Sequence, residues 1–359
     1  MLKDLIHRNR TICLLFLKTC CRKTYRERIL PAVNDSISTF CSSEILNNKN
    51  RLRNIKADAV HCNILYGTAF DEYFLFNFES LSHKERKTFI TEENRWHYYY
   101  LLTDPKAQVV LDNKELTYQK FGEYFHREQI AVYKDTQQKD LNAFIERHSR
   151  FILKPINLYS GIGISILNSD TYTIDQIYEV VKKQAPCVLE ELISQSDEMG
   201  KFNPSSVNTV RITTLLTRSD PSKDNIALFA PFVRFGRKGC IVDNVGRGGV
   251  FALVDPETGV IISDCVDKYG HRYTKHPDSQ VQIQGTQLPC WKEVRELAKE
   301  LSMQVPQCRL IGWDFAFTKD GWILVEGNAK SQINVTQICD RVGRKPLLDQ
   351  LLEKSANTT

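Results

Sequence analysis

Between Leu310 and Phe317 the large apolar residues fall on every second position. Ile311, Trp313, Phe315 and Phe317 take one face, and Gly312, Asp314 and Ala316 take the other. A period of two is the mark of a strand. The period resumes at Trp322, which predicts a second strand with Trp322, Leu324, Glu326 and Asn328 sharing a face. Lys319-Asp320-Gly321, between the two runs, reads as a three-residue hairpin loop with its glycine in the left-handed position. If Thr318 pairs with Trp322, the register sets Asp314 opposite Glu326, with Asn328 two residues along on the same side. Facing carboxylates repel and weaken a sheet. A hard divalent cation held by both, with the Asn328 amide oxygen as third ligand, removes that objection. The plain alternative is two solvated acids on the outer face of a hairpin.

Upstream of this hairpin the pattern alternates between helical and extended. Leu2, Leu5, Ile6, Ile12, Leu15, Phe16 and Leu17 are spaced for an amphipathic helix. Residues 71–78 suit either a strand or a buried helix, and Ser82 with Glu85 forms a capping-box pair that opens a helix. Thr91 marks a second helix start running into residues 95–102, and Asp104-Pro105 reads as a break. A short helix follows Leu111-Asp112-Asn113-Lys114, then a strand over 130–133.

From Arg150 the order becomes strand (151–155, carrying Lys154), glycine loop (Gly161 and Gly163), strand (164–167), helix and strand (187–193). The helix opens at the Thr173–Gln176 capping box. A lysine on a strand beside loop amides suits phosphate, although a lysine next to a glycine turn is more often a solvated turn. Strands dominate after Pro204: 207–212 carries Arg211, 229–235 carries Arg234, 241–244 leads to the Gly246-Arg247-Gly248-Gly249 loop, and 250–254 follows. The plain reading of the two arginines is surface charge on an antiparallel sheet. Residues 290–302 then form an amphipathic helix.

Composition changes this picture little. The chain has 359 residues, 42% hydrophobic and 25% charged, with a net charge of +5, which suits two or three lobes and does not call for nucleic acid. Eleven cysteines with no C-x-x-C pair argue against zinc and read as reduced thiols of a cytoplasmic protein. Charge is uneven, however. Residues 1–30 hold eight basic side chains against Asp4 and Glu27. The uncharged stretch 11–17 is far below the ~20 residues of a membrane span, so peripheral contact with an anionic membrane is the membrane reading, and packing on the protein's own surface the plainer one. His61, His83 and His97 are isolated and read as structural.

Four separated motifs resemble the ATP-grasp superfamily: Lys154 with its glycine loop, Glu190-Glu191-Leu192-Ile193, Asp314, and Glu326-x-Asn328. Ser206-Val207-Asn208-Thr209-Val210-Arg211, Val242-Asp243-Asn244 and Gly248-Gly249 resemble its sugar-transfer-associated family, which includes teichuronopeptide-biosynthesis types. The resemblance spans roughly residues 60–350; Asp112-Asn113-Lys114 departs from the family's more usual Asn-Asp-Lys order.

That resemblance implies an α+β ATP-grasp fold in which two α/β lobes clasp a nucleotide beside an N-terminal α/β region. Its implied divisions are a basic helical segment (1–57), an N-terminal lobe (58–148), a cap (149–200), a catalytic part (201–350) and a tail (351–359). Lys154 would contact the ATP phosphates under a flap bearing Gly161 and Gly163. The backbone of Glu190, Glu191, Leu192 and Ile193 would meet adenine, with Glu198 at the ribose. Asp314, Glu326 and Asn328 would hold one or two Mg2+ ions, and Arg211 and Arg234 would neutralise the transferred group. The implied activity is a cytoplasmic carboxylate–amine ligase working on small molecules or a glycan precursor of the cell surface, with the inner membrane face as the membrane reading. A kinase of the same fold and a nonenzymatic nucleotide-binding assembly factor are the alternatives.

Overall fold

The computed structural model describes residues 9–158, 161–218, 220–240 and 243–353. The first eight residues of the basic segment, Ser160 of the flap, Ile241-Val242 and the tail from 354 lie outside the described residues. The chain forms two compact units. One contains the residues up to Leu101, 269–271 and those from Gln332, and the other contains Leu102–Lys268 and Arg272–Ser331.

The first unit is helical. Asn9 caps Arg10–Thr19 by accepting from the Thr11 N–H, and Asn48 caps Lys49–Tyr66, which Gly67 ends in the left-handed conformation. Cys13 and Leu17 are buried on the first helix, whereas Leu15 is 62% exposed. The stretch that suited either strand or helix is helical over Phe70–Leu75, and the Ser82–Glu85 capping box forms. Glu72 is buried, accepting from the Ala69 and Glu92 N–H groups and from Asn334 Nδ2 at 2.7 Å.

The second unit holds two sheets. Strands β1 (Gln129–Val132), β2 (Arg150–Pro155), β3 (Ser165–Asn168) and β4 (Cys187–Glu191) form an antiparallel sheet in the order β1-β4-β2-β3. The cap sheet thus takes one strand from the stretch before residue 149. Phe151, Leu153, Cys187 and Leu189 face a core shared with helices Gln138–Arg147 and Ile174–Gln184. Alternation turns Lys154 and Glu190 to the other face.

The larger sheet has seven strands. These are β5 (Thr209–Leu216), β6 (Ile226–Phe235), β7 (Val250–Leu253), β8 (Cys265–Val266), β9 (Arg272–Tyr273), β10 (Leu310–Thr318) and β11 (Gly321–Asn328), in the order β11-β10-β5-β6-β7-β8-β9. Helix Trp291–Met303 covers one face through Trp291, Val294, Ala298 and Leu301. Asp104-Pro105 does not simply break the chain: Asp104 caps a new helix, Pro105–Asp112, with proline at its first turn, where no N–H is needed.

The β10–β11 hairpin departs from the predicted form in an instructive way. Thr318 pairs with Gly321, not Trp322, so the loop has two residues. Phe315 pairs with Leu324 and Asp314 with Glu326, which leaves Val325 as an extra residue, a β-bulge. The bulge restores the Asp314–Glu326 pairing but splits the predicted common face. Trp322 and Leu324 join Trp313, Phe315 and Phe317 in the core, and Glu326 lies in register with Asp314 on the opposite side. Gly327 pairs with Trp313, where an added Cβ would stand 2.7 Å from the indole ring.

Candidate active site

Two clusters of charge meet at Glu326. The first begins on the cap sheet, where β2 and β4 are paired so that Ile152 faces Glu190 and Lys154 faces Val188. Lys154 Nζ lies 2.7 Å from Glu190 Oε2, and Arg127 Nη2 lies 3.1 Å from the same oxygen. Burial opposes ionisation of Glu190, but the two cations prevail and hold its carboxyl below the ordinary range. Arg127 also donates to the Leu324 carbonyl at 2.7 Å and the Val325 carbonyl at 3.2 Å, thereby anchoring the bulge.

Lys114 completes this cluster. Its Nζ donates to the Leu158 carbonyl at 2.6 Å, and its own pKa is lowered by burial and by Lys154 against the pull of Glu326. Asn113 accepts from the N–H groups of Glu115 and Leu116 and so caps helix Lys114–Phe121, while Asp112 is paired with Lys330 at 3.2 Å. Asparagine thus stands at the cap position of the Asp-Asn-Lys order, a place that aspartate fills equally well. Asp112, Lys114, Lys154, Glu190, Glu326 and Asn328 line a cavity of about 20 Å3, room for little more than one water.

The second cluster lies across adjacent strands of the seven-stranded sheet. Arg211 on β5, Asp314 on β10 and Glu326 on β11 are cross-strand neighbours in one row. Asp314 is fully buried. Arg211 grips it through Nε and, at 2.7 Å, through Nη2, and Arg234 Nη2 lies 2.8 Å away. Gly312 makes room for this, because a Cβ there would meet Ser331 Oγ at 2.4 Å and Arg211 Cδ at 3.0 Å. Arg234 also donates to Thr209 Oγ1, whose N–H donates to the buried Asp243 at 3.0 Å. Burial opposes ionisation of Asp314, yet the guanidinium groups hold its carboxyl far below the usual range. Glu326 is pushed upward, first by burial and then by the charge of Asp314. Asp314 therefore carries the negative charge and Glu326 favours the proton.

The fold gathers some of the expected site residues and not others. Lys154, Glu190, Glu326 and Asn328 come together, and Asp314, Arg211 and Arg234 adjoin them through Glu326. Strand β4 ends at Glu191, whose N–H donates to the Glu128 carbonyl at 3.0 Å. Leu192 and Ile193 lie past its end, and Glu190 serves through its side chain in the middle of the sheet. Gly161 and Gly163 both have positive φ, of 72° and 74°, in a loop that does not line the cavity. Glu198 is exposed on the short helix Asp197–Gly200, its charge felt by Cys290. Lys114, Arg127 and Asp243 were not foreseen as site residues. Lys114 and Asp243 stood in segments that resemble the family, Asp112-Asn113-Lys114 and Val242-Asp243-Asn244, with no role assigned, whereas Arg127 lies in a loop with no periodic signal and only the fold brings it here.

The donor set fits a hard cation. Among the described residues no group of three or more His, Cys, Asp or Glu could hold a metal, so any such site needs an amide. Glu326 and Asn328 supply oxygens at the cavity wall, Asn328 Nδ2 lying 3.1 Å from Glu326 Oε1. The two Asp314 oxygens offer about four lone pairs; three meet guanidinium N–H groups, and Glu326 hydrogen-bonds the same carboxylate.

No curated protein matches the sequence. Among solved structures, the ATP-grasp ligase PsnB complexed with minimal precursor is 14% identical with a TM-score of 0.43, over 78% of this chain and 73% of its own. The D-alanine-D-alanine ligase from Coxiella burnetii is 13% identical with a TM-score of 0.43, over 70% and 59%. That from Bacillus anthracis is 11% identical with a TM-score of 0.42, over 71% and 70%. The sequence model of the sugar-transfer associated ATP-grasp family matches residues 93–353, which includes every residue of both charge clusters, and the chain belongs to that family.

Proposed function

We propose that this protein is an ATP-dependent carboxylate–amine ligase that works through an acyl phosphate, on a cell-surface polysaccharide or its precursor. One observation carries the reading: Glu326 is shared between a lysine-lined cavity suited to a polyphosphate and an arginine cluster suited to the transferred group. Lys114 and Lys154 bind the ATP phosphates, and the backbone of Leu192 and Ile193, beyond the end of β4, meets the adenine edge. A nucleotide needs hundreds of cubic ångströms, so the cap sheet and its Gly161–Gly163 loop draw back to admit it and then close. Glu326, Asn328 and Asp314 would hold one or two Mg2+ ions. Bound there, Mg2+ neutralises charge as the phosphoryl group moves.

Arg211 and Arg234 each keep Nη1 free of hydrogen bonds among the described residues, which leaves two donors for the acyl phosphate. The amine attacks the acyl carbon, the C–N bond forms, and phosphate departs with the C–O electron pair while the amine loses a proton. No helix of the described residues is long and apolar enough to cross a membrane. Action in the cytoplasm, with the basic segment 1–30 against the inner membrane face, completes the proposal.

A kinase sending the phosphoryl group to a hydroxyl uses the same nucleotide machinery, and a nonenzymatic assembly factor would bind ATP without turnover. Hydroxylamine separates the three. Incubation with ATP, Mg2+ and candidate acids is expected to give ADP, phosphate and a hydroxamate. ADP with a stable phosphorylated acceptor and no hydroxamate would establish the kinase instead; nucleotide binding with no ADP would leave the assembly factor.

A further inference from the structure

The helical unit contains a second polar site, separate from both charge clusters. It is an open cavity of about 570 Å3, within the size range of small-molecule sites. Helix Lys49–Tyr66 presents Arg51, Asn54 and Asp58 to it, three residues spaced along one helical stripe. Arg10, Tyr73, Glu79 and Arg86 come from other elements of the same unit.

Its floor is internally satisfied. Arg86 donates to both Asp58 oxygens, at 3.2 and 2.8 Å, and to the Phe78 carbonyl at 2.9 Å. Tyr73 Oη donates to Asp58 at 2.9 Å. The rim is not. Arg51 is paired only with Glu79, and both side chains are exposed (49% and 37%), so the pair is weak and easily displaced. Arg10 has no hydrogen bond or ion pair, and the Asn54 amide no hydrogen bond, among the described residues. With the Arg86–Asp58 pair cancelled, two guanidinium groups face one carboxylate.

We propose that this cavity binds a small phosphorylated metabolite. Arg10 and Arg51 take the phosphate, since a guanidinium fork matches its oxygens, and Asn54 contacts the organic part. The volume far exceeds what a bare phosphate fills. Glu79 competes with the ligand for Arg51, which gives the proposal a test of opposite signs. Titration calorimetry of the full chain would use glucose 6-phosphate, inorganic phosphate and glucose as probes. Glucose 6-phosphate is expected to bind with a Kd of about 1 mM or tighter. Arg10→Gln or Arg51→Gln should weaken it about tenfold or more, the loss of a charge-assisted contact. Glu79→Gln should tighten it, because Arg51 is released, and a merely structural role for Glu79 would not. These side chains are exposed, so the variants are expected to keep the wild-type circular dichroism spectrum. No heat with glucose 6-phosphate, equal binding of glucose, or a Glu79→Gln variant that binds no tighter would overturn the proposal. Equal affinity for inorganic phosphate would reject its organic half.

Discussion

Glu326→Gln is expected to make the protein more stable and inactive. Glu326 is half-buried beside the charged Asp314 and accepts one hydrogen bond from Asn328 at 3.1 Å. Two unit charges about 4 Å apart interact by roughly 4 kcal/mol at an effective dielectric near 20. Arg211 and Arg234 offset part of that repulsion. Glutamine keeps the oxygen for Asn328 and turns an N–H toward Asp314. Where Glu326 has lost its proton, this replaces a carboxylate–carboxylate contact with a bond to a charged acceptor, a type that contributes about 1.5–3 kcal/mol. After the adjustment of neighbours, a net gain of about 1–2 kcal/mol is expected near pH 8. For a unit the size of the second one, each kcal/mol raises Tm by about 2–4 °C. Thermal melts without nucleotide should therefore rise by several degrees. Turnover should fall by about a hundredfold or more, as when a preorganised charge is removed from a reacting centre. With ATP present, added Mg2+ should raise the Tm of the wild type and leave that of the variant unmoved. A lower Tm, or near-native turnover at modest Mg2+, would refute the reasoning.

Three further outcomes follow from other groups. Lys114→Met should weaken ATP binding by about 10- to 100-fold with little effect on folding, since a buried lysine gains little for the free protein; an unchanged Kd in a fluorescent-nucleotide titration would remove Lys114 from the site. Glu190→Gln should destabilise the second unit by about 3–5 kcal/mol in urea, because it leaves Lys154 and Arg127 facing a neutral amide; a loss below about 1 kcal/mol would make it no different from a surface pair. Glu72 is pushed by burial from 4.5 up to about 7 in the folded state. Its contribution to stability is thus complete below pH 4.5 and lost as pH climbs through 7, about 3 kcal/mol at most. Glu72→Gln should flatten that slope in denaturant melts of the first unit, and an unaltered slope would assign it to another group.

Features written locally were legible before any contact between distant residues was known. Capping residues at Ser82 and Thr173 formed their boxes, and the alternation in 310–317 and 151–155 formed strands. Alternation also set Lys154 and Glu190 on the face away from the cap core, a consequence of the two-residue period alone. The motifs in order were enough to indicate the family.

What the sequence left open depended on contacts between distant residues. The bulge at Val325 has no signature in the string Trp322-Ile323-Leu324-Val325-Glu326, which reads as an unbroken strand. Its register is decided by the packing of Trp322 and Leu324 against Trp313 and Phe315, and by Arg127, which holds the Leu324 and Val325 carbonyls from almost two hundred residues away. Arg211 and Arg234 read as surface charges until β5 and β6 are placed beside β10, where they flank the buried Asp314. A pKa depends on burial and on neighbouring charge. The opposite shifts of Asp314 and Glu326, two acids alike in the sequence, therefore exist only once the chain has folded.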